Sequence, residues 1–212
     1  MVADYVIFDG MDGSGKGTQI ELLKKKFGDS VVFTREPGGT PFAEDIRKVI
    51  LDNPLAGEST ALNNLLLFFA AREELQKNLV VPSRKAGKTV FSDRGDSSTF
   101  AFQLYGEMHT EFLSTFRFLR NVVFGNYFPN LYIIFDLPAE TARKRVMNDA
   151  NRAPNHFDVR GLDYYTRVRE GFRAFERFAP VEFVSATQTA EEVHESVLAI
   201  LARRQIFPIG AP

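Results

Sequence analysis

The sequence contains no cysteine in 212 residues, which excludes disulfides and any metal site built on thiolates. Nor does it carry an excess of charge: 26 Lys and Arg against 27 Asp and Glu leave a formal charge of −1. A general binder of nucleic acid or membrane surfaces shows a basic excess, so neither partner is expected and any electrostatic work is local. No long apolar run is present. The longest, Leu65 to Ala71, is far short of the roughly 20 residues that span a bilayer. No basic leader with a cleavage site precedes the apolar residues at Tyr5, so a cytoplasmic protein is the expectation. Internal repeats and low-complexity linkers are also lacking.

What remains is an ordinary globular composition, 44% hydrophobic and 25% charged, with enough chain for one full α/β core. Short apolar runs at 5–8, 31–34, 88–92, 131–137 and 181–185 read as strands. Between them lie segments of helical spacing at 16–27, 42–51, 60–80, 139 onward, 160–177 and 189–204, with two more ahead of Gly125. Strands that are apolar on both faces and alternate with helices predict a parallel five-stranded sheet with helices on both faces. Residues 1–212 are expected to form a single domain. The polar stretch at about 147–160 interrupts two helices and reads as a small lid. Residues 207–212 read as a loose tail.

The strongest local pattern runs from Gly10 through Met11, Asp12, Gly13, Ser14 and Gly15 to Lys16, spelling G-x-x-x-x-G-K. It follows a strand and opens a helix, so its amide groups and the helix N-terminus are set to face phosphate. A hydroxyl that binds magnesium usually follows the lysine; here Gly17 comes first and Thr18 second. Arg35 stands at the end of the second strand and Asp93 and Arg94 at the end of the third, the edge where open α/β sheets bind ligands. Guanidinium groups there suit a bidentate grip on phosphate, and Asp93 occupies the position from which such folds reach a metal. Phe68 and Arg72 lie four apart on one helix and share a face, a pairing that suits either a base pocket or the core.

Together these residues resemble the thymidylate kinase family of P-loop nucleoside monophosphate kinases. The likeness comprises F-D-G-x-D-G-x-G-K at 8–16, R-E-P-G-G-T at 35–40, L-L-F-x-A-A-R at 66–72 and D-R-x-x-x-S-T-x-A-F-Q at 93–103. D-L-P-A-E at 136–140, F-D at 157–158 and R-V-R-E-G-F at 167–172 extend it. The resemblance implies a P-loop NTPase-type fold and magnesium-dependent transfer of phosphate from ATP to dTMP. It also implies a homodimer.

Residue by residue, it implies that Lys16 and the loop from Gly10 to Thr18 hold the ATP phosphates. Asp12 lies near the acceptor's 3′-hydroxyl, and Arg35 and Arg94 grip its phosphate. Phe68 stacks on thymine and Arg72 faces O4. Ser98, Thr99, Phe102 and Gln103 line the base pocket, and Arg145 packs on adenine. The bond before Pro37 is often cis in the family. With Gly17 after the lysine, Mg²⁺ is expected on ATP oxygens and waters, backed by Asp93 and by Asp9.

Gly13 leaves the loop without the arginine that some relatives carry there. The cation that neutralises the transferring group is then expected from the lid, from Arg152, where His156 replaces another family arginine. The alternative is another nucleoside monophosphate or deoxynucleoside kinase, favoured by the G-K-G-T loop. A GTP-binding switch would need N-K-x-D, which the sequence lacks.

Overall fold

The apolar runs form five parallel strands, β1 (Tyr5–Gly10), β2 (Val31–Arg35), β3 (Thr89–Asp93), β4 (Leu131–Asp136) and β5 (Val181–Ser185), in the order β2-β3-β1-β4-β5. The computed structural model describes residues 2–148 and 160–206. Of the expected lid at about 147–160, residues 149–159, with Arg152 and His156, lie outside the described residues, as does the tail from 207. β1 is buried along its whole length and β3 and β4 along all but their last residue, while the edge strands β2 and β5 are partly exposed. Continuous apolar runs thus mark the strands covered on both faces.

Helices surround this sheet. α1 (Lys16–Phe27) and α9 (Ala190–Arg203) pack on one another. α3 (Ala61–Leu75) packs against both α2 (Pro41–Leu51) and α6 (Leu113–Phe124), and α7 (Ala139–Met147) against α8 (Leu162–Ala174). The short helices α4 (Val81–Lys85) and α5 (Asp96–Ser98) flank β3. α9 opens with a capping box, Thr189 accepting from the Glu192 amide while the Glu192 side chain accepts from Thr189, which satisfies amides that a helix start leaves open.

Two stretches wind more widely than the 3.6-residue period foretells. Gln76–Val80 and Thr99–Gly106 are π-helical, a geometry uncommon in length and frequent at functional sites. The second packs along α8. It continues directly from α5, so residues 96 to 106 form one run of backbone leading away from the end of β3.

The register brings the functional ends together: Phe8 lies beside Asp93, Arg35 beside Asp93, and Gly10 beside Phe135. The chain leaves β3 on one side of β1 and returns as β4 on the other. That reversal opens a crevice at the C-terminal ends of the strands.

Candidate active site

The phosphate loop fills the crevice between β1 and α1. Gly15, the residue before α1, adopts a left-handed conformation (φ 80°) that glycine takes without a Cβ penalty. Gly13 (φ 79°) is more constrained, since a Cβ there would lie 2.8 Å from the Ala142 carbonyl oxygen of α7. An arginine at this position is not accommodated, so the loop's lack of that cation follows from its packing. Gly17 has nothing within 4 Å of a Cβ. The Ser14 hydroxyl is buried without a protein partner, an orphaned donor of the kind a bound group satisfies.

Lys16 is buried and its ammonium pairs with the Asp93 carboxylate. Burial lowers its pKa, helped by the nearby Arg94 charge and opposed by Asp93. Arg94 is held at φ 72°, a backbone region that costs a side-chain-bearing residue energy and clusters at functional sites. That turn swings the guanidinium under the phosphate loop. It donates to Asp12 (2.5 Å), Ser98 Oγ (2.9 Å), the Gly10 carbonyl (3.1 Å) and Asp9 (3.3 Å), and its Cζ sits 5.2 Å from the Phe102 ring centre.

Asp9, expected behind a metal-bound water, is fully buried. It accepts from Ser97 (2.6 Å), Ser98 (2.7 Å), the Gly10 amide (2.8 Å) and Arg94 (3.3 Å). Its geometry is that of a holder for Arg94 and the turn after β3. Asp93 is the carboxylate that stays partly open. Among the described residues no group of three or more His, Cys, Asp or Glu could hold a metal by itself.

Facing the loop is a cavity of about 290 Å³ lined by Asp12, Lys16, Arg94, Ser98, Thr99, Phe102, Gln103 and Phe68, and by Glu36, Pro37, Arg47 and Leu51. The sequence-based assignments in the first group converge there. Arg72 stands just behind the lining, 1% exposed, donating from Nε to Glu36 (2.7 Å) and from Nη2 to Thr99 Oγ1 (2.9 Å). Its Nη1 and the Gln103 Oε1 are buried without partners. They form an unmatched donor and acceptor of the kind a bound base would use.

Arg35 is placed differently from expectation. It does not line the cavity; half exposed, it pairs with Glu44 at 2.8 Å. Arg145 joins the phosphate loop to the turn after β5, donating to the carbonyls of Gly13 (3.1 Å) and Ala186 (3.3 Å). The peptide bond between Glu36 and Pro37 is cis. Arg160, at the end of the expected lid, donates to Glu107 at 3.4 Å, away from the cavity lining.

Two lining residues carry charge that sequence reasoning did not assign. Arg47 sits on α2 and donates to the Pro37 carbonyl (2.8 Å). Its spacing of four from Leu51 marks one face of α2 and was the available signal. Glu36 lies inside the quoted R-E-P-G-G-T block. It accepts from Arg72 and from the Tyr5 hydroxyl (3.4 Å), and burial pushes its pKa up to about 7 against the pull of Arg72.

Comparison with known proteins agrees with this geometry. A family model described as Thymidylate kinase matches residues 8–197. A thymidylate kinase of Pelotomaculum thermopropionicum is 35% identical, with 93% of this chain and 92% of that protein covered. The corresponding figures are 34%, 95% and 99% for a thymidylate kinase of Cupriavidus taiwanensis. A third, from Symbiobacterium thermophilum, is 36% identical over 91% of this chain and 90% of its own. With the phosphate loop, the Arg94 turn and the base-sized cavity all inside the matched span, the chain belongs to the thymidylate kinase family.

Proposed function

We propose that the protein transfers the terminal phosphoryl group of ATP to dTMP in the cytoplasm, giving dTDP and ADP. The observation that carries this reading is the cavity itself. It has two guanidinium groups, Arg94 and Arg47, beside the phosphate-loop lysine, and the Phe68 ring within the same lining. Phosphoryl transfer is mainly a matter of positioning and of neutralising charge. The two partners must also meet with water excluded.

Lys16 and the loop amides hold the donor phosphates, Lys16 exchanging Asp93 for them. Asp93, released, would hold a magnesium ion through water, and that ion would supply charge neutralisation. Arg94, fixed by Asp9 and Asp12, orients the acceptor phosphate so that one of its oxygens faces the γ-phosphorus. That oxygen forms the new P–O bond as the bond to the β-phosphate oxygen breaks, and the electron pair leaves with ADP. Arg47 supplies the second charge at this end. Arg35 joins only by exchanging Glu44 for phosphate. Phe68 stacks on the base, and Arg72 and Gln103 meet its edge. We assign the remaining transition-state cation to Arg152.

Homodimerisation is part of this proposal. α2, α3 and α6 expose Phe42, Val49, Leu62, Leu66, Phe118 and Val122, apolar side chains of the kind an interface covers.

The test is a coupled assay of ATP consumption across the common nucleoside monophosphates. dTMP should be the best acceptor, dUMP weaker, and dCMP and AMP poor. A kcat/KM for AMP equal to that for dTMP would sink the assignment.

A further inference from the structure

We propose that Arg120, on α6 and outside the cavity, is a positioning residue for the acceptor half of the site, acting through the buried carboxylate of Asp96. The inference rests on the reading of Arg94 and Arg72 as substrate-facing groups. Arg120 does not line the cavity. Its Nε donates to Asp96 Oδ2 at 2.5 Å and its Nη2 to the Tyr132 hydroxyl at 3.3 Å, while that hydroxyl donates to Asp96 Oδ1 at 2.6 Å. Three rings confine the guanidinium, with Phe128 at 4.7 Å and Phe124 and Phe175 at 5.7 Å. Asp96 is fully buried and both of its oxygens are engaged.

Such a carboxylate takes no part in chemistry. Its value lies in where it stands. Asp96 comes two residues after Arg94, whose φ of 72° is a conformation the surroundings must hold in place. Before the turn, the Arg94 amide is fixed by the Phe8 carbonyl at 2.8 Å; after it, Asp96 is the anchor. The next three side chains all reach the reaction machinery. Ser97 donates to Asp9 (2.6 Å). Ser98 donates to Asp9 (2.7 Å) and accepts from Arg94 (2.9 Å). Thr99 accepts from Arg72 (2.9 Å).

A shift at Asp96 therefore moves the partners of both arginines at once. A buried ion pair is weak evidence of net stabilisation, since apolar replacements often do as well. Its position at the root of this turn points to placement.

The test uses three variants of the full chain: Arg120→Met, the double variant Asp96→Asn with Arg120→Met, and Arg120→Lys. Calorimetric melting, MgADP binding by titration, and steady-state kcat and KM are measured at 25 °C. The best acceptor of the wild-type protein, whichever it is, serves as substrate. The neutral double variant removes the unpaired charge and should recover much of the melting temperature lost in Arg120→Met. Its kcat/KM for the acceptor should stay down by roughly 10-fold to 100-fold, the scale of a misplacement near 1 Å, while MgADP affinity stays within about twofold.

Arg120→Lys keeps the charge but not the two-point fork, so it should lose less. It also serves as the reading if Arg120→Met fails to fold. Recovery of acceptor kinetics in step with melting temperature would overturn the proposal and leave Arg120 a brace of the fold. Failure of the wild-type protein to prefer dTMP would instead refute the substrate assignment, which the ratios between variants do not use.

Discussion

Glu36→Gln replaces a cavity carboxylate with a neutral amide of the same shape. Glu36 is 4% exposed and holds Arg72 through a 2.7 Å contact with Nε. Burial raises its pKa to about 7, with the Arg72 charge opposing the rise. With that value the ionised fraction falls from roughly nine tenths at pH 8 to roughly one tenth at pH 6. If the ionised form is what sets Arg72 against the base, KM for dTMP should rise roughly tenfold over that interval, about 1.4 kcal/mol. The acceptor phosphate titrates nearby, with a second pKa of about 6, and contributes a change of the same sign.

The amide variant separates the two, because it keeps the phosphate's contribution and loses the carboxylate's. The measurement is KM for dTMP at half-unit steps from pH 6 to 8 with saturating ATP. The wild-type profile should be steeper than that of Glu36→Gln. Folding offers a second readout. The folded pKa lies above the unfolded value of 4.5, so Glu36's contribution to stability is full below pH 4.5 and is lost as pH rises through about 7. The scale is roughly 3 kcal/mol, and Glu36→Gln should remove that slope. Parallel KM profiles in the two proteins would refute the coupling between Glu36 and base recognition.

Four further outcomes are predicted. Arg94→Ala should lower kcat by roughly 10²–10³, the effect of losing a preorganised charge donor, in rapid-quench single turnovers with both substrates saturating; an unchanged rate would remove Arg94 from the mechanism. Gly17→Ser, with open space around its Cβ, should leave the melting temperature almost unchanged. Gly13→Ala, meeting the Ala142 carbonyl at 2.8 Å from a left-handed backbone, should cost about 1–3 kcal/mol; equal melting curves would contradict the geometry. Phe118→Glu should convert a dimer to a monomer in sedimentation velocity, since it puts charge into an apolar surface; a dimer persisting at micromolar concentration would exclude the α6 face.

The sheet was legible because its strands are unbroken apolar runs, and Gly10, Gly15 and Lys16 marked the phosphate loop by spacing alone. Phe68, Ser98, Thr99, Phe102 and Gln103 were found through quoted motifs, and all five line the cavity. The π-helical turns from Gln76 and Thr99 were not legible, because a wider winding leaves no apolar period of its own over five to eight residues. Arg47 stands close in sequence to Glu44, Asp45 and Lys48, a charged stretch that looks like a solvated surface. Arg35 was read as a clamp from its place at the strand end and from the R-E-P-G-G-T resemblance; its capture by Glu44, nine residues on, depends on how the loop after β2 turns back. Glu36 and Arg72 are separated by 36 residues, and only the fold makes them one unit.

The pairing of Lys16 with Asp93, and of Arg94 with Asp9 and Asp12, bears on how substrates arrive. Lys16 and Arg94, which are to face phosphate, each already have an anion beside them, so these two project little net field beyond a Debye length of about 8 Å at physiological salt. Long-range attraction then contributes little to capture, and the association rate of nucleotide should depend only weakly on ionic strength. Discrimination falls to the last few ångströms, where an incoming phosphate must displace a carboxylate from its partner. Anions too weak or too poorly shaped to win that exchange are turned away at the loop.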